Sequence, residues 1–164
     1  PFNSAVRIYL QMRRPYWRDH GHNGFGVTDT VGEIWDPHFD EQREPALLVC
    51  YAKYELARKI GALDDDQRLQ YAVAELEKVF PGSTENFETG TSHYWDRVPW
   101  IRGAWPEIRK FKSRAPIFRE PEGRVYFAGD YAGDAEWLNT AEGAVESGQH
   151  TARSICRRIA EPVD

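Results

Sequence analysis

With 164 residues, 41% of them hydrophobic, the chain is long enough for one domain with a buried core. A net charge of −5 argues against a general nucleic-acid binder, which needs a basic surface to displace counterions from phosphates. No stretch approaches the roughly 18 consecutive apolar residues of a bilayer span, so a soluble chain with small molecules or proteins as partners is expected.

The opening Pro1-Phe2-Asn3-Ser4 has neither an initiator Met nor a basic or apolar targeting region, and it leads straight into an alternating apolar run. The expectation is a chain cut from something longer, with secretion an open option if a preceding segment carried a signal. Val6, Ile8, Leu10 and Met12 alternate with Arg7, Tyr9 and Gln11, the pattern of a half-buried strand that Pro15-Tyr16-Trp17 ends. From Gly21 to Asp40, glycines and Pro37 punctuate Phe25–Asp29 and Glu33-Ile34-Trp35, predicting short antiparallel strands. Residues 46–51 form a continuous apolar run suited to a strand buried on both faces.

The period then changes. Apolar residues recur at helical spacing over 54–60 and again over 64–80, where Leu69, Val73, Leu76 and Phe80 mark one face. Asp64-Asp65-Asp66 supplies an N-cap and a negative first turn, a better use of three adjacent carboxylates than a metal site, and Pro81-Gly82 stops the helix. His20 and His22 flank Gly21 as a solvated turn would place them. Cys50 and Cys156 lie far apart without CxxC spacing, so both are expected to be buried thiols, and no metal site is assigned.

Between Glu88 and Pro106, Trp95, Trp100 and Trp105 recur every five residues, matching neither helix nor strand. That spacing suits a loop, one that lays rings around something flat or fills a local core. Next comes Gly123-Arg124-Val125-Tyr126-Phe127-Ala128-Gly129-Asp130, a short apolar strand ending in Gly-Asp, then a loop with Gly133 and Asn139. A helix follows over about 140–159, with Ala141, Ala144, Val145, Gly148, Ala152 and Ile155 as its expected packing face. Gly143 and Ala144 in the first turn let backbone approach a ligand, and the unpaired N–H groups with the helix dipole favour electron-rich oxygens. Arg153, Arg157 and Arg158 complement the dipole at the other end.

Val125-Tyr126-Phe127-Ala128-Gly129-Asp130, then Trp137, then Glu142-Gly143-Ala144-Val145-Glu146-Ser147-Gly148 resembles the carboxyl-terminal FAD-binding signature of the flavin-dependent amine oxidases. Trp95, Trp100, Gly103 and Trp105 are similar to the family's preceding aromatic segment. Arg7-Ile8-Tyr9-Leu10 and Pro15-Tyr16-Trp17 resemble a substrate-domain strand of the L-amino-acid oxidases, with a bacterial enzyme of the L-glutamate oxidase type as the preferred picture.

The resemblance implies an α+β and α/β fold: the carboxyl-terminal portion of a two-domain FAD-dependent amine oxidase. Residues 1–110 would belong to the substrate domain, with a mixed or antiparallel sheet, and 111–164 would carry the last strand and helix of the FAD-binding domain. No GxGxxG occurs in the sequence, so the dinucleotide-binding motif is expected on another chain or segment of the same enzyme, in an oligomer.

Site residues carried over by the resemblance are Trp95, Gly129, Asp130, Trp137, Ala141 and Glu142 for the cofactor, and Trp105 and Thr140 for the substrate. Asp130 would accept from a ribityl hydroxyl, and the Ala141 N–H would meet the pyrimidine edge of the isoalloxazine. Trp105 would form one wall of a substrate cage whose second wall is Thr140, not an aromatic ring. Ala104 stands where some relatives attach FAD through cysteine, which implies noncovalent FAD. No acid or base is assigned. The implied reaction takes a hydride from the carbon bearing a neutral amine to the flavin and reoxidises the flavin with oxygen, giving a 2-oxo acid, ammonia and hydrogen peroxide. A substrate carboxylate would need an Arg, with Arg97 and Arg102 as unassigned candidates. Asp134 and Glu136 are the alternative candidates, for a cationic substrate. The alternatives are a monoamine or polyamine oxidase, a related FAD-dependent desaturase, and a noncatalytic binding or assembly module with an oxidase-like core.

Overall fold

Alternation of large apolar and polar residues over Ala5–Met12 places one face of strand β2 in the core, where Val6, Ile8, Leu10 and Met12 are at most 1% exposed. The computed structural model describes residues 2–41, 43–107, 115–134 and 136–160. A two-residue strand, β1 (Phe2–Asn3), precedes β2; then come β3 (Gly26–Thr28), β4 (Gly32–Trp35), β5 (Ala46–Lys53), β6 (Phe87–Tyr94) and β7 (Trp105–Pro106). The helices are α1 (Tyr54–Gly61), α2 (Asp65–Val79), the single turn α3 (Ser83–Asn86) and α4 (Ala141–Ala160). The chain divides into two compact units, Asn3–Ala104 and Trp105–Asp164, the latter grouped with Pro1–Phe2. The division falls at 104/105, where the sequence reading placed it at 110/111.

The first unit is built on a five-stranded antiparallel sheet of order β3-β4-β5-β2-β6. Its core joins the inward residues of β2 and β5 with Ile60 from α1, Leu76 from α2 and Phe80. Strand β5 is buried at Ala46, Leu48, Val49, Cys50 and Ala52, close to the expected two-sided burial, although Leu47 and Tyr51 keep partial exposure. Burial pushes the Cys50 thiol up to about 12. Tyr16 and Trp17, in the short 3₁₀ turn Tyr16–His20, are core residues, and the Tyr16 hydroxyl meets Ser83 Oγ at 2.5 Å. His20 and His22 are exposed on either side of Gly21, as expected of a solvated turn, and the His22 ring packs edge-on against Phe80.

Helix α2 begins with the cap expected of its acidic start. Asp64 Oδ1 accepts from the Gln67 N–H at 2.8 Å and Gln67 Oε1 accepts from the Asp64 N–H at 3.2 Å. Asp65 pairs with Arg68, whose guanidinium is buried and donates to Leu63 O at 2.8 Å, Gly61 O at 3.3 Å and Ser92 Oγ at 2.8 Å. One cation thus ties the end of α1 and the start of α2 to β6.

Strand β6 departs from the sequence reading, which placed a loop from Glu88 onward. Phe87–Tyr94 pairs with β2 along its length, and a Cβ on Gly90 would lie 2.6 Å from Tyr9 O. Its residues are polar because it is an edge strand with little to bury, so hydrophobic alternation could not reveal it. Trp95–Arg97 follows as a 3₁₀ turn, and Trp100 is 94% exposed.

The second unit is held differently. Among its described residues Ala132 is the one buried hydrophobic side chain, while Val125, Trp137, Val145 and Ile159 are 48–78% exposed. The strand expected over 125–128 does not form: the segment makes only an isolated bridge between Glu122 and Val125. A strand needs neighbours to complete its ladder, and the described residues of this unit offer none alongside it. Helix α4 forms as expected but packs through Gly143 and Ser147, leaving Ala141, Val145 and Ala152 of the expected face exposed. Cys156, expected to be buried, is exposed.

Replacing Asp64 by Ala removes one half of the capping box and is expected to destabilise the first unit by about 1 kcal/mol. A lowered denaturant midpoint with an unchanged slope would register it; an unchanged midpoint would mean that the Asp65–Arg68 pair suffices to start the helix.

Candidate functional site

Backbone conformation sets the site. Gly129 has φ +150°, a region that favours glycine, and a Cβ there would lie 2.6 Å from the Tyr131 ring. The chain then turns through the 3₁₀ segment Asp130–Ala132 and returns, with the Asn139 N–H donating to Asp130 O at 3.0 Å. Asn139 takes a left-handed φ of +63°, which its short polar side chain tolerates, and its Nδ2 donates to Pro106 O at 3.3 Å. That bond ties the strand bearing Trp105 to the start of α4.

Thr140 is the N-cap of α4. Its hydroxyl oxygen accepts from the Gly143 N–H at 3.1 Å and donates to Trp137 O at 2.7 Å. This satisfies the third N–H of the helix, and among the described residues no acceptor engages those of Ala141 and Glu142. Both residues are exposed. The Asp130 carboxylate likewise has no hydrogen bond or ion pair among the described residues.

Two glycines allow the loop to lie on the helix. A Cβ on Gly133 would fall 2.7 Å from Gly143 Cα, and one on Gly143 would collide with Trp137 O. Hydroxyls from α4 then fix the extended segment that precedes the turn. Ser147 Oγ accepts from the Gly129 N–H at 3.0 Å and lies 2.7 Å from Gly129 O, while Thr151 Oγ1 donates to Phe127 O at 2.6 Å. Arg119 closes the loop from outside, 2.7 Å from Glu146 and 2.8 Å from Asp134. Asp134 is therefore engaged by a cation, and its N–H donates to Glu146 Oε2 at 3.2 Å. Arg119 holds the Glu146 carboxyl below the usual range.

Gly129, Asp130, Trp137, Thr140, Ala141 and Glu142 thus lie together, along one loop and the first turn of α4. Trp105 belongs to the same unit and is half-buried. Trp95 belongs to the other unit, where its ring packs edge-on on His93 at 4.2 Å. Arg97 donates to Ala62 O and Arg102 to Pro99 O, so both guanidinium groups serve the backbone. The sequence reading gave no role to Arg119, Asn139, Ser147 or Thr151. Gly143, Ser147 and Thr151 recur every four residues on one helix face, a signal hidden from a search for apolar periodicity.

The flavin containing amine oxidoreductase family model matches residues 1–156. The chain belongs to that family. It is 28% identical over 168 residues to the flavin-dependent L-tryptophan oxidase RebO of Lentzea aerocolonigenes, covering 93% of this chain and 34% of that protein. It is also 28% identical over 168 residues to human flavin-containing amine oxidase B, covering 94% of this chain and 31% of the relative. A putrescine oxidase variant, from structure-based redesign of cofactor binding, superposes with a TM-score of 0.81 at 23% identity, over 96% of this chain and 36% of that one. The chain therefore spans about a third of the length of the relatives it matches. No helix among the described residues is long and apolar enough to cross a membrane.

Ser147→Ala leaves the Gly129 N–H without its partner and is expected to cost about 1–3 kcal/mol of local stability. Faster hydrogen exchange at Gly129 would report it, and unchanged exchange would show that the glycine contacts alone hold the segment. Because the Glu146 carboxyl titrates lower here than in an unfolded chain, its pairing contributes stability above the ordinary carboxylate range and loses it as pH falls through the lowered value. Exchange protection of the Asp134 N–H should fall over that window, and Arg119→Gln should move the window upward.

Proposed function

We propose that this chain contributes part of the FAD site and part of the substrate site of an enzyme that oxidatively deaminates an L-amino acid. The observation that carries the reading is the first turn of α4: two N–H groups, at Ala141 and Glu142, without an acceptor among the described residues, stand at the positive end of a 20-residue helix, in one loop with the Asp130 carboxylate, which likewise has no partner among them. Donors of this kind suit the carbonyl edge of a flat heterocycle that gains negative charge on reduction, and an acceptor-only carboxylate suits a hydroxyl of its side chain.

FAD supplies the acceptor for the hydride that leaves the amine-bearing carbon, and oxygen then takes the electrons. The overall balance is amino acid, oxygen and water to 2-oxo acid, ammonia and hydrogen peroxide. Gly129 bends the chain so that Asp130 reaches the cofactor. Ser147 and Thr151 fix that bend from the helix, so the donors and the carboxylate need little rearrangement when FAD binds. Trp137, about half exposed, would cover the cofactor from the turn before α4, and Trp95 is a further candidate cofactor contact from the first unit. Trp105 and Thr140 border the amine, which the aromatic surroundings keep uncharged. Ala104 offers no thiol, so FAD is held without a covalent bond.

A segment carrying GxGxxG, from the same enzyme, completes the cofactor site and covers the exposed apolar residues of the second unit. The match to an L-tryptophan oxidase and to amine oxidase B supports amino acids and simple amines alike as substrate classes. The amino-acid reading is the one taken here.

The test is the visible spectrum of this chain together with that segment, under anaerobic conditions. A flavin spectrum that bleaches with an L-amino acid and returns with air, with hydrogen peroxide formed, is the expected outcome. Bleaching with amines alone would move the assignment to an amine oxidase. A complex that takes up no FAD would replace it with the noncatalytic reading.

A further inference from the structure

The short 3₁₀ segment Ala115–Arg119 reaches the cofactor loop through its last two residues. Phe118 sets its ring edge-on against Phe127, 6.3 Å away between centroids, and against Tyr131, 5.5 Å away, the aromatic residues on either side of the Gly129–Asp130 bend. Arg119 grips Glu146 with both arms of its fork: Nη2 donates to Oε1 at 2.7 Å and Nη1 to Oε2 at 3.3 Å. The same Nη1 donates to Asp134 Oδ1 at 2.8 Å, and Glu146 Oε2 also accepts from the Asp134 N–H at 3.2 Å. The Arg119 side chain is only 21% exposed, so this pair is screened less than an ordinary surface pair.

Where Glu146 stands gives the pair a second consequence. It is the sixth residue of α4, about 7.5 Å along the axis from Ala141 at 1.5 Å per residue, and Glu142 lies one turn nearer the helix start. The N–H groups at that start suit electron-rich oxygens, and negative charge grows there when the flavin is reduced. An uncompensated carboxylate this close would oppose that charge. Arg119 is the cation paired with Glu146 among the described residues. His150, one turn further along α4, favours the same carboxylate more weakly, and Asp134 is the other acid that shares Arg119.

Resting on the FAD reading above, we infer that Arg119 is a positioning residue for the cofactor: with Phe118 it clamps the Gly129–Asp130 bend, and by neutralising Glu146 it leaves the first turn of α4 free to receive the negative charge of the reduced flavin. The two parts of this role are separable, because the clamp acts on how tightly FAD is held and the neutralisation acts on how readily it accepts electrons.

The experiment measures two quantities in the complete enzyme: the Kd of FAD, by flavin fluorescence, and the reduction potential of the bound flavin, by equilibration with reference dyes. Arg119→Gln is expected to weaken FAD binding on the order of 10-fold and to make the potential more negative. Glu146→Gln breaks the same contact but removes the opposing charge, so the potential moves the other way, to less negative values; it also carries the test if the Arg119 variant does not fold. Arg119→Lys keeps the charge without the fork and holds the potential near that of the unsubstituted enzyme while weakening FAD by a smaller factor. Shifts of opposite sign from the two partners of one contact are what a merely structural brace would not produce. A potential unchanged in either folded glutamine variant, or moved in the same direction by both, overturns the inference while FAD remains bound and the oxidase reading stands. If the unsubstituted complex takes up no FAD, the oxidase reading falls and this inference with it.

Discussion

Everything at the candidate cofactor site depends on how closely a loop can lie against helix α4. Gly133 and Gly143 meet backbone to backbone, and a methyl group on either would push the loop away. At that distance two hydroxyls, on Ser147 and Thr151, reach the main chain of Phe127 and Gly129 and do the work that neighbouring strands would do in a sheet. The bend at Gly129, the position of Asp130 and the orientation of the first turn of α4 all follow from that contact. Arg119 then braces the loop from solvent through two carboxylates. The Arg119–Asp134 pair is screened on its exposed carboxylate side, while the Arg119–Glu146 pair is part-buried; both add to a geometry that the glycines and hydroxyls set.

The two units are stabilised by different physics. In Asn3–Ala104 a two-layer arrangement of sheet and helices buries large apolar side chains, and Arg68 stitches the layers where polar groups would otherwise be stranded. Among the described residues of the second unit hydrogen bonds and backbone contacts predominate, and Val125, Trp137, Val145 and Ile159 are exposed. Such a unit has little hydrophobic driving force of its own. The chain as a whole spans about a third of its relatives' length.

How much of this was legible in the sequence follows from what each element buries. Strands β2 and β5 and helix α2 announce themselves because their apolar residues follow the structural period, and Asp64 marks the start of α2 through its capping chemistry. Strand β6 does not, since an edge strand made of Thr, Gly, Ser and His carries no alternation to detect. The terminal Gly-Asp and the helix after it were legible through family resemblance; of the residues it marked, Gly129, Asp130, Trp137, Thr140, Ala141 and Glu142 lie along one loop and the first turn of α4, whereas Trp95 lies in the other unit. The packing face of α4 was misplaced because apolar spacing points to Ala141, Val145 and Ala152, whereas the helix is held by Gly143, Ser147 and Thr151. Polar residues that bond to backbone leave no trace in a hydrophobic pattern.

The hydroxyl contacts also act as a ruler. Ser147 and Thr151 are four residues apart along a helix, roughly 6 Å, and the groups they hold on Gly129 and Phe127 are two residues apart along extended chain, roughly 6.6 Å. The two spacings nearly coincide, and they run in opposite directions along the chain. Sliding the segment by one residue would present the wrong main-chain groups to both hydroxyls at once. Insertions or deletions during evolution should therefore be tolerated in the loop between the two stretches and be rare within either, so that length variation among relatives would map the boundaries of the clasp.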